Sequence, residues 1–161
     1  MSKTRFRVDE TNARLTIERV FPAEVARVWR FFTEPELLDQ WWAPAPWQTV
    51  TKHMDFRVGG HWLYSMRGPE GEEHFCRMDF REIEAEQRMA SDDYFCDADG
   101  TPNESLPRQA FDTSLHEEGR NTKVVTVVQY ASIEDLQTIV KMGIREGLSL
   151  AYEQLEALLS A

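Results

Sequence analysis

Cysteine is nearly absent from this chain: Cys76 and Cys96 are the only two in 161 residues, too few for a disulfide framework. No Cys-x-x-Cys or His-x-x-x-His pair occurs, so the spacing of a structural zinc site is missing as well. No run of eighteen apolar residues exists, which excludes a helical membrane span. The first residues, Met1 to Arg7, are basic but are followed by no apolar stretch; no secretory signal is expected, and free thiols in a reducing cytoplasm are. Positive charge is also short, with 18 Lys and Arg against 28 Asp and Glu and a net charge of −10. Most of the deficit lies in residues 68–104, where twelve acids meet three arginines for a balance of −9. Such a segment repels phosphates, so neither nucleic acid nor an anionic membrane is expected as a partner. It reads instead as the solvated face of hairpins. Gly-x-Ser-x-Gly is absent, and the paired glycines are not followed by Lys-Ser/Thr. Neither a nucleophile elbow nor a phosphate loop is therefore present.

What the chain does have is aromatic and sulfur-bearing bulk: five tryptophans and six methionines. The stretch Asp55-Phe56-Arg57-Val58-Gly59-Gly60-His61-Trp62-Leu63-Tyr64-Ser65-Met66 places two glycines between apolar runs, the mark of a hairpin. Beyond them Trp62, Tyr64 and Met66 recur at period two and line one strand face. Such a wall either fills a core or surrounds a cavity.

The length predicts one domain over residues 1–161, with its core at about 12–160 and residues 1–11 as an N-terminal extension. Arg14 to Phe21 alternates as a first strand. Val25, Val28, Trp29 and Phe32 then recur at helical spacing, with Trp29 in plain core packing. A second short helix follows Glu34-Pro35 and ends before Pro44-Ala45-Pro46. Strands are predicted at 47–57, 61–67, 72–83, 87–97, 109–117 and 121–130. If Ala85-Glu86-Gln87 is a turn, Cys96 faces Cys76, Tyr94 faces Met78 and Asp92 faces Phe80. Arg77, Asp79, Arg81, Ser91 and Asp93 then fall on the wet face. From Ser132, a good N-cap, one final helix of nearly thirty residues is expected, about 40 Å long at 1.5 Å per residue. Gly143 and Gly147 would sit in its middle, facing inward, for close backbone packing or for space beside a ligand.

The residues carry a resemblance beyond this order. Leu37-Leu38-Asp39-Gln40-Trp41-Trp42-Ala43-Pro44 resembles the Trp-Trp-x-Pro segment of one branch of the START and birch-pollen-allergen-like (SRPBCC) superfamily. Phe56 to Met66, with Pro69-Glu70-Gly71 behind it, is similar to that branch's Arg-x-Gly-Gly hairpin. Met142-Gly143-Ile144-Arg145-Glu146-Gly147, with Leu155 to Leu159, is similar to its C-terminal helix. The branch is that of bacterial homologues of the activator of the heat-shock-protein-90 ATPase, and the resemblance spans about residues 12 to 160. It implies an α+β helix-grip fold: a curved antiparallel sheet of about six to seven strands wrapped around a long C-terminal helix, with two short helices after the first strand. It further implies a cavity that in relatives holds a lipid-like or aromatic ligand. The eukaryotic activator has a separate N-terminal domain making much of the chaperone contact, which 161 residues leave no room for, so its activity does not follow from the resemblance.

Four kinds of chemistry compete for these residues. A metal site would need His74, Cys76 and Cys96 joined by His61 or His116, but packed thiols are the plainer expectation, and no cofactor is expected. Asp97-Ala98-Asp99-Gly100 lacks the first and last acids of a calcium loop and reads as a turn. A cofactor-free cyclase or hydrolase would draw its acid or base from His61, Tyr64, His74, Asp92, Tyr94 or Glu146. Exposed aromatics between Trp41 and Trp47 would suit a protein partner, either a chaperone or a second copy in a homodimer. The preferred expectation is noncatalytic binding of a small apolar or aromatic molecule. The walls expected for it are Trp42, Phe56, Trp62, Tyr64, Met66, Met78, Phe80, Tyr94, Met142, Gly143 and Glu146.

Overall fold

The computed structural model describes residues 3–161. Two strands open the chain, β1 (Arg5–Asp9) and β2 (Arg14–Phe21), followed by the short helices α1 (Val25–Thr33) and α2 (Pro35–Leu38). Six strands come next: β3 (Gln48–Met54), β4 (His61–Arg67), β5 (Glu73–Glu84), β6 (Arg88–Cys96), β7 (Gln109–Glu118) and β8 (Asn121–Gln129). Two helices, α3 (Ile133–Lys141) and α4 (Ile144–Ser160), end it. All eight strands form one antiparallel sheet in the order β1-β2-β8-β7-β6-β5-β4-β3. The last strand thus returns to pair with the second, and the curved sheet takes the helices on one face in a helix-grip arrangement. There is one strand more than expected, because part of the segment read as an extension pairs Arg5–Asp9 with Arg14–Glu18. Asp9 holds that turn by accepting hydrogen bonds from the Asn12 backbone N–H and side-chain amide, at 3.1 and 2.8 Å.

The alternation read in the sequence is what buries the core. Leu15, Ile17 and Phe21 on β2 and Val124 and Val128 on β8 point under the helices and are almost inaccessible. Phe21, Phe32 and Trp41 surround the Tyr152 ring of α4, with centroids 5.3, 6.2 and 5.8 Å from it, joining sheet, helix α1 and the Trp41-Trp42 turn. Trp41 is 1 % exposed and donates its indole N–H to the Phe31 carbonyl at 3.0 Å. The expected exposed aromatic patch at Trp41–Trp47 is therefore not there. Its leading tryptophan is a core residue, while Trp42 and Trp47 are only part-exposed.

Two expectations about local geometry are corrected. The single long helix is two, because Gly143 takes a left-handed φ of +97° between Lys141 and Ile144. Glycine reaches that conformation without strain, so the residue redirects the chain rather than interrupting a continuous rod. The register between β5 and β6 also changes along its length. Near the turn Glu84 pairs with Arg88 and Glu82 with Ala90, as the turn at Ala85-Glu86-Gln87 requires. A bulge at Arg81 then shifts the ladder by one residue, giving Phe80–Ser91, Met78–Asp93 and Cys76–Phe95. A one-residue slip exchanges the faces of a strand. Ser91 and Asp93, expected in water, are buried, whereas Asp92 turns outward to an ion pair with Arg81 at 3.1 Å.

Candidate functional site

Between the inner faces of β4 to β7 and the α3–α4 junction lies a cavity of about 290 Å³. Its sheet wall holds Tyr64, Met66, Cys76, Asp93, Phe95 and Phe111, its helical wall Ile139, Met142, Gly143, Ile144, Gly147 and Leu148, and its rim Trp42 and Pro44. Arg77, Tyr94 and Gln109 also border it. The cavity exists because the elements above it carry little bulk. A Cβ added at Gly147 would meet only Pro44 Cγ at 3.8 Å, and one at Gly143 only Glu146 Oε1 at 3.7 Å. Close packing of the helix backbone on the sheet is thus excluded as the reason for either glycine. Met142, 51 % exposed at the helix break, stands at the mouth.

The polar groups of the wall keep their protons. Tyr64 accepts the Trp42 indole N–H at 2.9 Å, stacks on Trp62 at 3.9 Å between centroids, and lies opposite Cys76 in the β4–β5 ladder. Burial raises its phenol well above the usual value, and burial likewise pushes the Cys76 thiol up to about 12. Asp93 is 8 % exposed, and burial pushes its carboxyl up to about 8, although Ser91 Oγ donates to Asp93 Oδ1 at 2.6 Å. Desolvation outweighs that hydrogen bond because no cation on the same face offsets it. Arg77 is held by Asp79 at 2.7 Å and Arg81 by Asp92. At neutral pH the hollow is a mainly apolar space with an O–H, an S–H and a protonated carboxyl in its wall and the Asp79-paired Arg77 at its border, the usual composition of a small-molecule site.

The structure sorts the residues expected at the site. Trp42, Tyr64, Met66, Met142 and Gly143 line the cavity. Tyr94 borders it, but its hydroxyl donates to Asp79 Oδ2 at 2.8 Å and its ring lies under Arg108, as the shifted register dictates. Phe56 and Phe80 do not reach it; they pack edge to face on each other, centroids 4.9 Å apart, with Phe56 also against Trp29. Trp62 and Met78 lie deeper, around a hollow of about 20 Å³, room for about one water. Glu146 is exposed. Among the described residues no three His, Cys, Asp or Glu side chains gather closely enough to hold a metal. His61 lies against His53, centroids 4.6 Å apart, and His74 against Trp47 at 5.5 Å, so no histidine borders the cavity. Sequence reasoning missed Cys76, Phe95, Phe111, Ile139, Ile144 and Leu148 as wall residues and, with the largest chemical consequence, Asp93. A signal for it existed: Met78, Phe80 and Ile83 all pack on the core, and the step of three from 80 to 83 demands an extra residue in the strand.

Comparison with known proteins agrees with this architecture. The family model for activator of Hsp90 ATPase homolog 1-like proteins matches residues 22–160. The crystal structure of protein Ms6760 from Mycobacterium smegmatis is 33% identical, with 98% of this chain and 97% of that one covered and a TM-score of 0.91. A solution structure from Arthrobacter aurescens is 31% identical over 97% of this chain and 91% of that one, also with a TM-score of 0.91. Protein NE0264 from Nitrosomonas europaea is 27% identical over 94% and 97%, with a TM-score of 0.81. No curated protein matches.

Proposed function

The chain belongs to the family of activator of Hsp90 ATPase homolog 1-like proteins, and from that premise we propose that it binds a small apolar or aromatic molecule, without catalysis, in the hollow between sheet and C-terminal helices. The observation that carries this reading is the cavity of about 290 Å³ walled by aromatic, methionine and aliphatic side chains, with two glycines in its helical wall. A volume of this order lies at the lower end for small-molecule sites, which favours a compact ring system over a long acyl chain. Apolar area removed from water inside it stabilises a complex by about 25 cal/mol per Å², while the few polar groups fix orientation. Native mass spectrometry of freshly purified protein tests the proposal most directly. A co-purifying mass, or saturable binding of a bicyclic hydrocarbon such as indane, is the expected result. Neither a bound mass nor any saturable binding would remove the reading.

Family membership favours a second reading, in which the chain acts on a chaperone ATPase through a protein surface. The burial of Trp41 weighs against the surface first expected for that role. Mixing the chain with the Hsp90-type chaperone of its own organism and following ATP turnover tests it; an unchanged rate at saturating protein refutes it.

A further inference from the structure

Among the described residues Asp93 is the one acid in the cavity wall, and only one of its oxygens is engaged. Oδ1 accepts the Ser91 hydroxyl at 2.6 Å. Among the described residues Oδ2 has no hydrogen-bond partner, although the side chain is buried and borders the cavity. A protonated carboxyl has one O–H to donate. With Oδ1 occupied as acceptor, the proton belongs on Oδ2, the oxygen without a partner. Oδ2 is not shut off from solvent, so water in the hollow answers it, and a guest that displaces this water must offer an acceptor in its place.

From this placement we infer that the hollow selects neutral ring compounds bearing a carbonyl-type oxygen, with Asp93 Oδ2–H donating to that oxygen. This rests on the binding proposed above and narrows the class of guest. An ammonium guest is the other chemistry a carboxyl attracts. Carrying it into an apolar hollow would strip two charges of water, where a carboxyl–carbonyl hydrogen bond strips none. The charged and titratable neighbours agree with a neutral Asp93. On its own strand Asp92 faces outward; on β5 Arg77 and Arg81 are held by Asp79 and Asp92, and the Cys76 thiol is protonated. On β4 Tyr64 is protonated, and beyond β8 so is Tyr130, whose hydroxyl donates to Gln109 at 2.7 Å. From the helices above, Lys141, Arg145 and Glu146 are exposed.

The test uses three molecules on one frame, 1-indanone, indane and 1-aminoindane, with dissociation constants from calorimetry near neutral pH. In the wild-type chain Asp93 favours the ketone. Asp93→Leu lowers the affinity for indanone relative to indane by about tenfold, the worth of one buried hydrogen bond. Asp93→Asn keeps an acceptor for Ser91 and an N–H donor for the guest, so it retains most of the ratio. A readout needing no variant is the carbonyl stretch of bound indanone, which falls below its value in hexane when the oxygen accepts a hydrogen bond. An unshifted stretch, or an indanone-to-indane ratio that Asp93→Leu leaves alone, overturns the inference while indane binding keeps the general reading alive. Selective dependence of 1-aminoindane on Asp93 overturns it in favour of a cationic guest. Failure of all three to bind overturns the inference, and removes the general reading with it where no mass co-purifies.

Discussion

Replacing Asp93 by Asn gives the sharpest physical test of the site, because it separates one titration from all others. The folded carboxyl holds its proton up to about 8, against 3.8 for the ordinary group. Between those values the folded chain carries one proton that the unfolded chain has released, so stability falls as pH rises. The sign follows: the contribution is fully present below about pH 4, is lost progressively up to about pH 8, and is constant beyond. Its slope is about 1.4 kcal/mol per pH unit, and four units accumulate to about 6 kcal/mol. That is comparable with the whole stability of many domains, about 5–15 kcal/mol. Asparagine is close in shape to the protonated acid and does not titrate, so the difference between the two proteins cancels every other group. The midpoint of thermal unfolding, followed by circular dichroism in matched buffers, should agree near pH 4. It should then diverge in favour of Asp93→Asn by about 3–6 °C per pH unit up to about pH 8. Parallel curves across that range would refute the claim that this carboxyl is desolvated, and with it the description of Asp93 as neutral in the cavity wall.

The remaining predictions concern the glycines that shape the cavity and its neighbouring hairpin. Gly147 has helical geometry and open space before it, so Gly147→Ala should raise stability by up to about 1 kcal/mol in urea unfolding. Gly147→Leu should fold yet lose most of its affinity for indane, because its side chain occupies the guest's volume. Gly143→Leu should lower stability by about 1–2 kcal/mol through left-handed strain at a φ of +97°, whereas Gly143→Asn should recover much of that loss. A Cβ at Gly60 would collide with the Asp55 carbonyl oxygen, so Gly60→Ala should cost about 2 kcal/mol or more.

The features that were legible in the sequence are those that repeat. Alternation along Leu15-Ile17 and Trp62-Tyr64 fixed which strand faces are apolar, and helical spacing at Val28, Trp29 and Phe32 located α1, because each pattern is confirmed several times over a short span. The features that were not legible are single residues at which a pattern changes phase. Nothing in composition distinguishes a glycine inside a helix from one between two helices, since the left-handed φ of Gly143 depends on where Ile139 and Ile144 must pack. Arg81 has the larger consequence. One unpaired residue moves Asp93 from the wet face of β6 to the dry one, and turns Tyr94 from the expected wall toward Asp79. Had the ladder run unbroken from the turn, Asp92 and Tyr94 would face the helices, and Ile83 would part company with Phe80 on the apolar side. The chain keeps Phe80 and Ile83 together in the core, and the extra residue this requires carries a carboxyl into the hollow further along the same ladder. The packing of two apolar side chains near the hairpin end thus determines the chemistry of the cavity several residues away.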